Sequence, residues 1–482
     1  MLFNSLHFLL FFPIVTILYF LLGKNSRVGL LLLASCYFYM VFKPVYILIL
    51  FLLIAIDYFA GIYIGNAQGH KRKVFLIISL VANISMLCIF KYFSFIVENL
   101  ERLLHLFDVT ADFPQLSILL PIGLSFHTFQ SMSYTIEVYR GNQKPEKNVA
   151  LFALYVLFYP QLVAGPIERP QNLLHQFHKK QAFNYEGVVD GLRRMLWGFF
   201  KKVVIADKLA LLVNYIYSDS SHYNGTLLLI STLFFTFQIY CDFSGYSDIA
   251  LGAARIMGYD LMQNFNAPYL SKSITEFWRR WHISLSTWFR DYLYISLGGN
   301  RVSIFRTFLN IFIVFMVSGL WHGPNWTFVI WGSLHGLFLI SERVHGMYIK
   351  NKFSFLPKIP SLISGVITFI LVMFAWIFFR ASSVGIATGM IKKILFNFIP
   401  SDGLRPILST IASLTGDPAY FLKCIFYILL LLVSEYTFGA NVLSNVSIRF
   451  RSRKIRWAIY YILIFILFFS NNAQQTFIYF QF

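Results

Sequence analysis

The sequence predicts an all-α polytopic membrane protein, and three observations carry that prediction. Hydrophobic residues make up 57% of the 482-residue chain, whereas Asp, Glu, Lys and Arg together reach only 13%, about half the charge of a soluble domain. The 54 Phe and 28 Tyr are more aromatic bulk than a water-soluble core of this size could hide. Apolar runs near the roughly 20 residues that a helix needs to cross a bilayer recur from one end of the chain to the other.

Taken in order, the apolar segments fall near 5–22, 28–43, 46–65, 74–95, 115–137, 149–164, 203–217, 226–257, 305–320, 325–341, 360–379, 420–438 and 456–470. They amount to about 11 to 13 membrane segments, since a short one such as 149–164 also fits a re-entrant course. The opening stretch MLFNSLHFLLFFPIVTILYFLLGKNSR has no Lys or Arg ahead of its apolar run and no small-residue cleavage site. It reads as a retained first helix rather than a removed leader.

The formal net charge is +19. The cations sit in short loops between apolar segments: Lys24 and Arg27, Lys71 to Lys73, Lys144 and Lys147, Lys179 and Lys180, Arg279 and Arg280, Lys350 and Lys352, and Arg449 to Arg456. That distribution follows the positive-inside rule and argues against nucleic acid as a partner. It puts the basic loops in the cytoplasm and both termini outside. The stretch 381–419 falls outside despite Lys392 and Lys393, and fits an interfacial helix. Cys36, Cys88, Cys241 and Cys424 stand singly, so neither a disulfide framework nor a zinc site is expected.

Four stretches hold the chemistry. In SGLWHGPNW, Ser318–Trp326, His322 lies between two tryptophans at the joint of two apolar segments. Gly323-Pro324 break the helix there, and Asn325 offers a polar partner. An ionisable ring at membrane depth points to function, and irregular backbone there needs protein or a cavity around it. In FWRRWHISLSTWFRDYLYISLGGNR, Phe277–Arg301, the spacing predicts an amphipathic helix over about 277–297. It fits either an interfacial helix with His282 as a passive member, or a cytoplasmic-face site where His282, Arg279, Arg280 and Arg290 meet a phosphate-bearing donor.

A helix starting near Arg306 would carry His322 roughly 24 Å into a core about 30 Å thick. Either the 277–297 segment dips to meet it, or the two histidines face opposite ends of one passage. The third stretch, FQIYCDFSGYSDIALGAARIMGYD, places Gln238, Asp242 and Asp248 within one apolar span. These fit helix–helix bonds and site lining equally well, and a carboxylate here could orient a histidine. The fourth comprises PIGLSFHTFQSMSYTIEVYRG and QLVAGPIERPQNL. There His127 reads as a packed histidine, and Glu168 with Arg169 as a surface pair. His175, His178, His335 and His345 show no ligand-like grouping with acids. A GxSxG elbow, HExxH, Walker A and dinucleotide fingerprint are all absent from the sequence, which removes those mechanisms.

The set GLSFHTFQSMSYTIEVYRG, VAGPIERP, QIYCDFSGYSDIALG, FWRRWHISLSTWFRDYLYISLGGNR and SGLWHGPNWTFVIWGSLHG resembles the membrane-bound O-acyltransferase family. Together with the C-terminal FIYFQF it looks closest to the branch that acetylates alginate. One departure is His127, where that branch has an aromatic. The resemblance implies one integral-membrane domain over 1–482. Its peripheral helices would span about 1–110, its catalytic core about 115–345 and its C-terminal helices about 360–482, with the helices ringing a central funnel.

It also implies His322 and His282 as the catalytic pair, with Trp321, Asn325, Asp242, Arg279, Arg280 and Arg290 as candidates for binding substrate or donor. No metal and no bound cofactor are implied. The donor would be a cytoplasmic thioester, acetyl-CoA or a carrier-protein thioester. In a bacterial inner membrane the acyl group would pass to a periplasmic partner of the SGNH type, which esterifies a glycan. Peptidoglycan or another glycan, D-alanyl transfer to teichoic acid, and a polysaccharide or lipid transporter are the alternatives.

Overall fold

In a computed structural model, residues 1–109, 113, 120–163, 165–349, 360–398, 403, 405–470, 475 and 477–478 are described. Lys350 and Lys352, residues 115–119, Ala164 and all of FIYFQF beyond Phe477 and Ile478 lie outside them. Among the described residues the regular structure is helical throughout.

Six helices are long and apolar enough to cross a membrane: Pro44–Asn66, His70–His105, Gly225–Ile256, Ile304–His322, Ser361–Arg380 and Tyr420–Phe438. Two shorter apolar helices, Leu6–Leu21 and Ser26–Met40, accompany them. The chain is a polytopic membrane protein. Several other apolar stretches form helices too short to span alone. Val149–Leu157 has 9 residues, about 14 Å of rise against a core of about 30 Å, whereas Asp207–Ser218 runs on directly from a π turn over Phe200–Ala206.

The chain divides into two units. The first comprises residues 1–195 and 249–262. Inside it the Asp57 carboxylate is fully buried and is met by donors from a neighbouring helix. Ser79 Oγ donates to it at 2.6 Å, and Asn83 Nδ2 donates to both its oxygens at 3.0 Å. A polar group among apolar helices must be satisfied by protein, so these bonds tie the Pro44–Asn66 and His70–His105 spans together. Arg72 closes a neighbouring helix end, donating to the carbonyls of Ile64 and Tyr139. Here a cation of a basic loop has a local partner.

The second unit comprises residues 196–248 and 263–482. Its central pair, Ile304–His322 and Trp326–Val344, packs through Gly319 and Gly332. A Cβ on Gly319 would stand 2.2 Å from the Phe328 carbonyl, and one on Gly332 would stand 2.2 Å from that of Phe315. Only hydrogen at these positions lets the two backbones meet. Within 381–419, the Val384–Phe396 helix carries Lys393, whose ammonium donates to the carbonyls of Ser220 and Tyr223. That cation therefore has a partner on a surface turn.

Glu168 departs from the expected surface pair. It is fully buried in the first unit, where its carboxylate accepts from Asn172 Nδ2 at 2.7 Å and from the Met262 amide. It thereby clamps the end of the 249–262 segment. Burial pushes its carboxyl up to about 7, against the lowering effect of those bonds and of Arg169. The unfolded carboxyl releases its proton near 4.5, so between that value and about 7 the folded protein binds more protons and stability falls as pH rises. Glu168→Gln should flatten that part of the melting-temperature profile, measured between pH 5 and 7.5 in detergent. A variant with the wild-type slope would show that the carboxyl titrates normally.

Candidate functional site

The site-bearing residues all lie in the second unit. His322 is the last residue of the Ile304–His322 helix. The chain turns at Gly323 and Pro324. Asn325 then caps the next helix, its Oδ1 accepting from the Thr327 amide at 3.0 Å. Asn325 Nδ2 donates to the Ser382 carbonyl at 3.0 Å, so this residue stitches the break together. The His322 ring is buried and walled by Trp321, Trp331 and Phe379, with ring centroids at 5.0, 5.0 and 5.3 Å.

The 277–297 region is not one helix, contrary to the amphipathic pattern. Ile274–Arg280 ends at Trp281, which is extended. His282 takes a left-handed backbone at φ 42° and ψ 55°, and a second short helix runs Ile283–Trp288 before a π turn over Phe289–Tyr294. The pattern continues across the break because its apolar residues face the protein on both sides of it. The cause of the break lies elsewhere in the chain. The Asn266 amide takes the Arg280 carbonyl, and the Asn264 carbonyl takes the Ile283 amide, both at 2.9 Å. A left-handed backbone at a non-glycine residue costs about 1–3 kcal/mol and persists only where its surroundings over-determine it.

The His282 ring is fully buried against Phe243 at 4.7 Å and Trp321 at 6.2 Å. Trp321 therefore touches both histidines. The two rings thus lie against one indole rather than in separate parts of the second unit. A third histidine joins the aromatic row: Trp331 packs on His322 and also on His335, each at 5.0 Å. Trp278 Nε1 donates to His335 Nδ1 at 3.3 Å. Its partners are indole rings, so no acid in the sequence marks this role.

A cavity of about 730 Å³ opens beside this row. Buried Trp278, Leu285 and Phe289 line it, together with exposed Arg279 and Arg290, half-buried Arg343 and Glu342, and the hydroxyls of Thr275, Ser286 and Thr287. Ile283, next to His282, and Ser318, one turn before His322, lie on its surface. Arg280 is not part of the lining. It pairs with Glu276 at 2.6 Å, one helical step away from its neighbour Arg279. Arg343 had no motif to mark it.

Asp242 does not orient a histidine through any bond described here. Its Oδ1 meets Lys202 Nζ at 2.5 Å and its Oδ2 accepts from the Ile478 amide at 2.6 Å. Lys202 also meets Asp207 at 2.8 Å and donates to the Gln475 carbonyl. Lys201 meets Asp248 at 2.6 Å. Beside the tail, Phe477 packs on Phe243, the residue that walls His282, at 5.8 Å. The two lysines stand just ahead of the apolar segment 203–217, and only the acids of the 237–260 span hinted at a need for buried cations.

Residues 147–384 match the membrane-bound O-acyltransferase family. The chain is 43% identical to the probable alginate O-acetylase of Pseudomonas aeruginosa, over 83% of this chain and 75% of that protein. The chain belongs to the membrane-bound O-acyltransferase family. It is an O-acyltransferase, as its relatives' names also indicate. A peptidoglycan O-acetyltransferase of Helicobacter pylori is 32% identical across 100% of this chain and 98% of its own length. A teichoic acid D-alanyltransferase of Bacillus subtilis is 29% identical over 54% of this chain and 68% of that protein. The family match spans His282, His322 and the cavity.

Removing one partner of a buried ion pair strands the other, at a cost of about 3–5 kcal/mol. Lys202→Met should accordingly lower the melting temperature and raise hydrogen exchange at the Ile478 amide, read by mass spectrometry. Exchange at wild-type levels would mean that the tail is held by other contacts.

Proposed function

We propose that this protein takes an acetyl group from cytoplasmic acetyl-CoA and passes it across the bacterial inner membrane for O-acetylation of an exported polysaccharide such as alginate, through a periplasmic partner of the SGNH type. The observation that carries the proposal is the cavity. Arginines border it, buried apolar side chains line its interior, and it reaches the neighbours of both histidines. Arginine forks suit the phosphates of coenzyme A, and the apolar interior suits its uncharged thioester arm. The alginate acetylases at about 40% identity support the polysaccharide reading. The peptidoglycan relative, which aligns over the whole chain, supports a second glycan.

In the proposed mechanism His322 is the general base. A neutral imidazole takes the proton of the acceptor hydroxyl as its oxygen attacks the thioester carbonyl. The carbon–sulfur bond breaks, the ester forms, and the proton passes to the departing thiolate. His282 assists at the donor end, Trp321 walls both rings, and Arg279 and Arg290 hold the phosphates. The alternative course is a covalent acyl-histidine at His322, resolved by the same hydroxyl.

The test is thioester turnover by the purified protein in lipid, using radiolabelled acetyl-CoA with alginate or peptidoglycan fragments and the periplasmic partner. A well-folded His322→Ala should lose about 100-fold or more in kcat. Arg279→Ala and Arg290→Ala should each raise the KM for acetyl-CoA about tenfold while kcat holds. Full activity in folded His322→Ala would refute the mechanism. An unchanged KM in both arginine variants would remove the cavity as the donor site.

A further inference from the structure

We infer that Asn264 is the positioning residue for His282, fixing the left-handed backbone that aims the ring. The inference rests on the catalytic reading of His282 above and goes beyond it. Asn264 is buried, 1% exposed, and grips the chain just past the histidine at two successive residues. Its carbonyl accepts from the Ile283 amide at 2.9 Å. Its side-chain Oδ1 accepts from Ser284 Oγ at 2.6 Å and from the Ser284 amide at 3.4 Å. Its Nδ2 donates to Ser247 Oγ on the long Gly225–Ile256 helix at 3.4 Å.

On the other side of the histidine, the Asn266 amide donates to the Arg280 carbonyl. Arg280 and Ile283 are thus pinned to one three-residue stretch, and only Trp281 and His282 lie between the pins. Two residues spanning so short a gap have little choice of dihedral angles, and His282 takes the strained ones. The same stretch supplies a wall. Phe265 packs on Trp281 at 5.1 Å and stacks near His282 at 6.5 Å.

Asparagine suits the position because one side chain offers an acceptor to Ser284 and a donor to Ser247. A reacting group displaced by about 1 Å can lose on the order of 100-fold in rate. Loss of the clasp should therefore appear in kcat, whereas the arginine-bordered cavity, and with it the KM for donor, stays intact.

The experiment compares Asn264→Ala, Asn264→Asp and Ser284→Ala with wild type in lipid. It measures kcat and KM for acetyl-CoA, and maps diethyl pyrocarbonate labelling of His282 by mass spectrometry. Folded Asn264→Ala should lose about 10- to 100-fold in kcat with KM within about twofold, and its His282 should become labelled. Asn264→Asp keeps the acceptor for Ser284 and should recover most of kcat. Should Asn264→Ala fail to fold, Ser284→Ala removes one bond of the same clasp, and a smaller fall in kcat at constant KM is the expected result.

Wild-type kcat together with an unlabelled ring, in a folded clasp variant, would overturn the inference. His282→Ala is run beside them. If that variant retains activity, the catalytic reading falls and the ring labelling alone decides the positioning role, labelled for it and unlabelled against it.

Discussion

An ammonium group among apolar helices has to be met by carboxylates, and the contacts of Lys202 follow from that constraint. Asp207 answers it from the next turn of its own segment, and Asp242 from the long Gly225–Ile256 helix. The adjacent Lys201 repeats the arrangement with Asp248. These pairs fix how the long helix is turned about its axis, because Asp242 and Asp248 must both face the lysines. With Asp242 so placed, the neighbouring Phe243 lies against His282 and the tail residue Phe477. Buried ion pairs of this kind add little net stability compared with an apolar substitute. Their contribution here is register: they set which face of the long helix looks toward His282.

The two catalytic histidines proposed above share a second feature. Both stand where the regular backbone stops, His322 at a helix end and His282 in a left-handed turn. Each break leaves amides and carbonyls that the surrounding membrane cannot satisfy. An asparagine closes each one. Asn325 caps the following helix and reaches the Ser382 carbonyl, and Asn264 takes the amides of residues 283 and 284. A helix points its side chains outward at fixed intervals. A closed break instead can place one ring beside another from a distant segment, and Trp321 lies in contact with both rings as a result.

The fold class and the six long apolar helices were legible because they depend on local composition, whereas the expected count of about 11 to 13 segments took in stretches that fold as shorter helices. The His322 joint was legible too, since Gly, Pro and Asn between apolar runs announce a break on their own. The interruption at Trp281 and His282 was not, for the hydrophobic period runs straight through it and the residues that impose it lie some sixteen positions earlier. Arg279 and Arg280 look equivalent in sequence, yet adjacent helical positions point about 100° apart, and only the first borders the cavity. Asp242 was legible as a buried acid needing a partner. Its partner was not, because Lys201 and Lys202 are recognisable as buried only once the helices are packed. Glu168 and Arg169 looked like a surface pair for the same reason.

The shape and polarity of the cavity bear on which class of molecule enters it. A polysaccharide presents hydroxyls along its whole length and needs polar partners along the whole path. Here Arg279, Arg290, Arg343 and Glu342 are exposed or half-buried, whereas Trp278, Leu285 and Phe289 are buried and apolar, with few hydroxyls (Thr275, Ser286, Thr287 and Ser318) among the lining residues. Such a gradient fits a ligand that is ionic at one end and uncharged at the other, with its reactive carbon carried on the uncharged end. A phosphate-bearing thioester has that form, and a sugar chain does not. In the donor reading proposed above, the exposed Arg279 and Arg290 meet the phosphates of a small molecule directly, so that contact needs no carrier-protein surface.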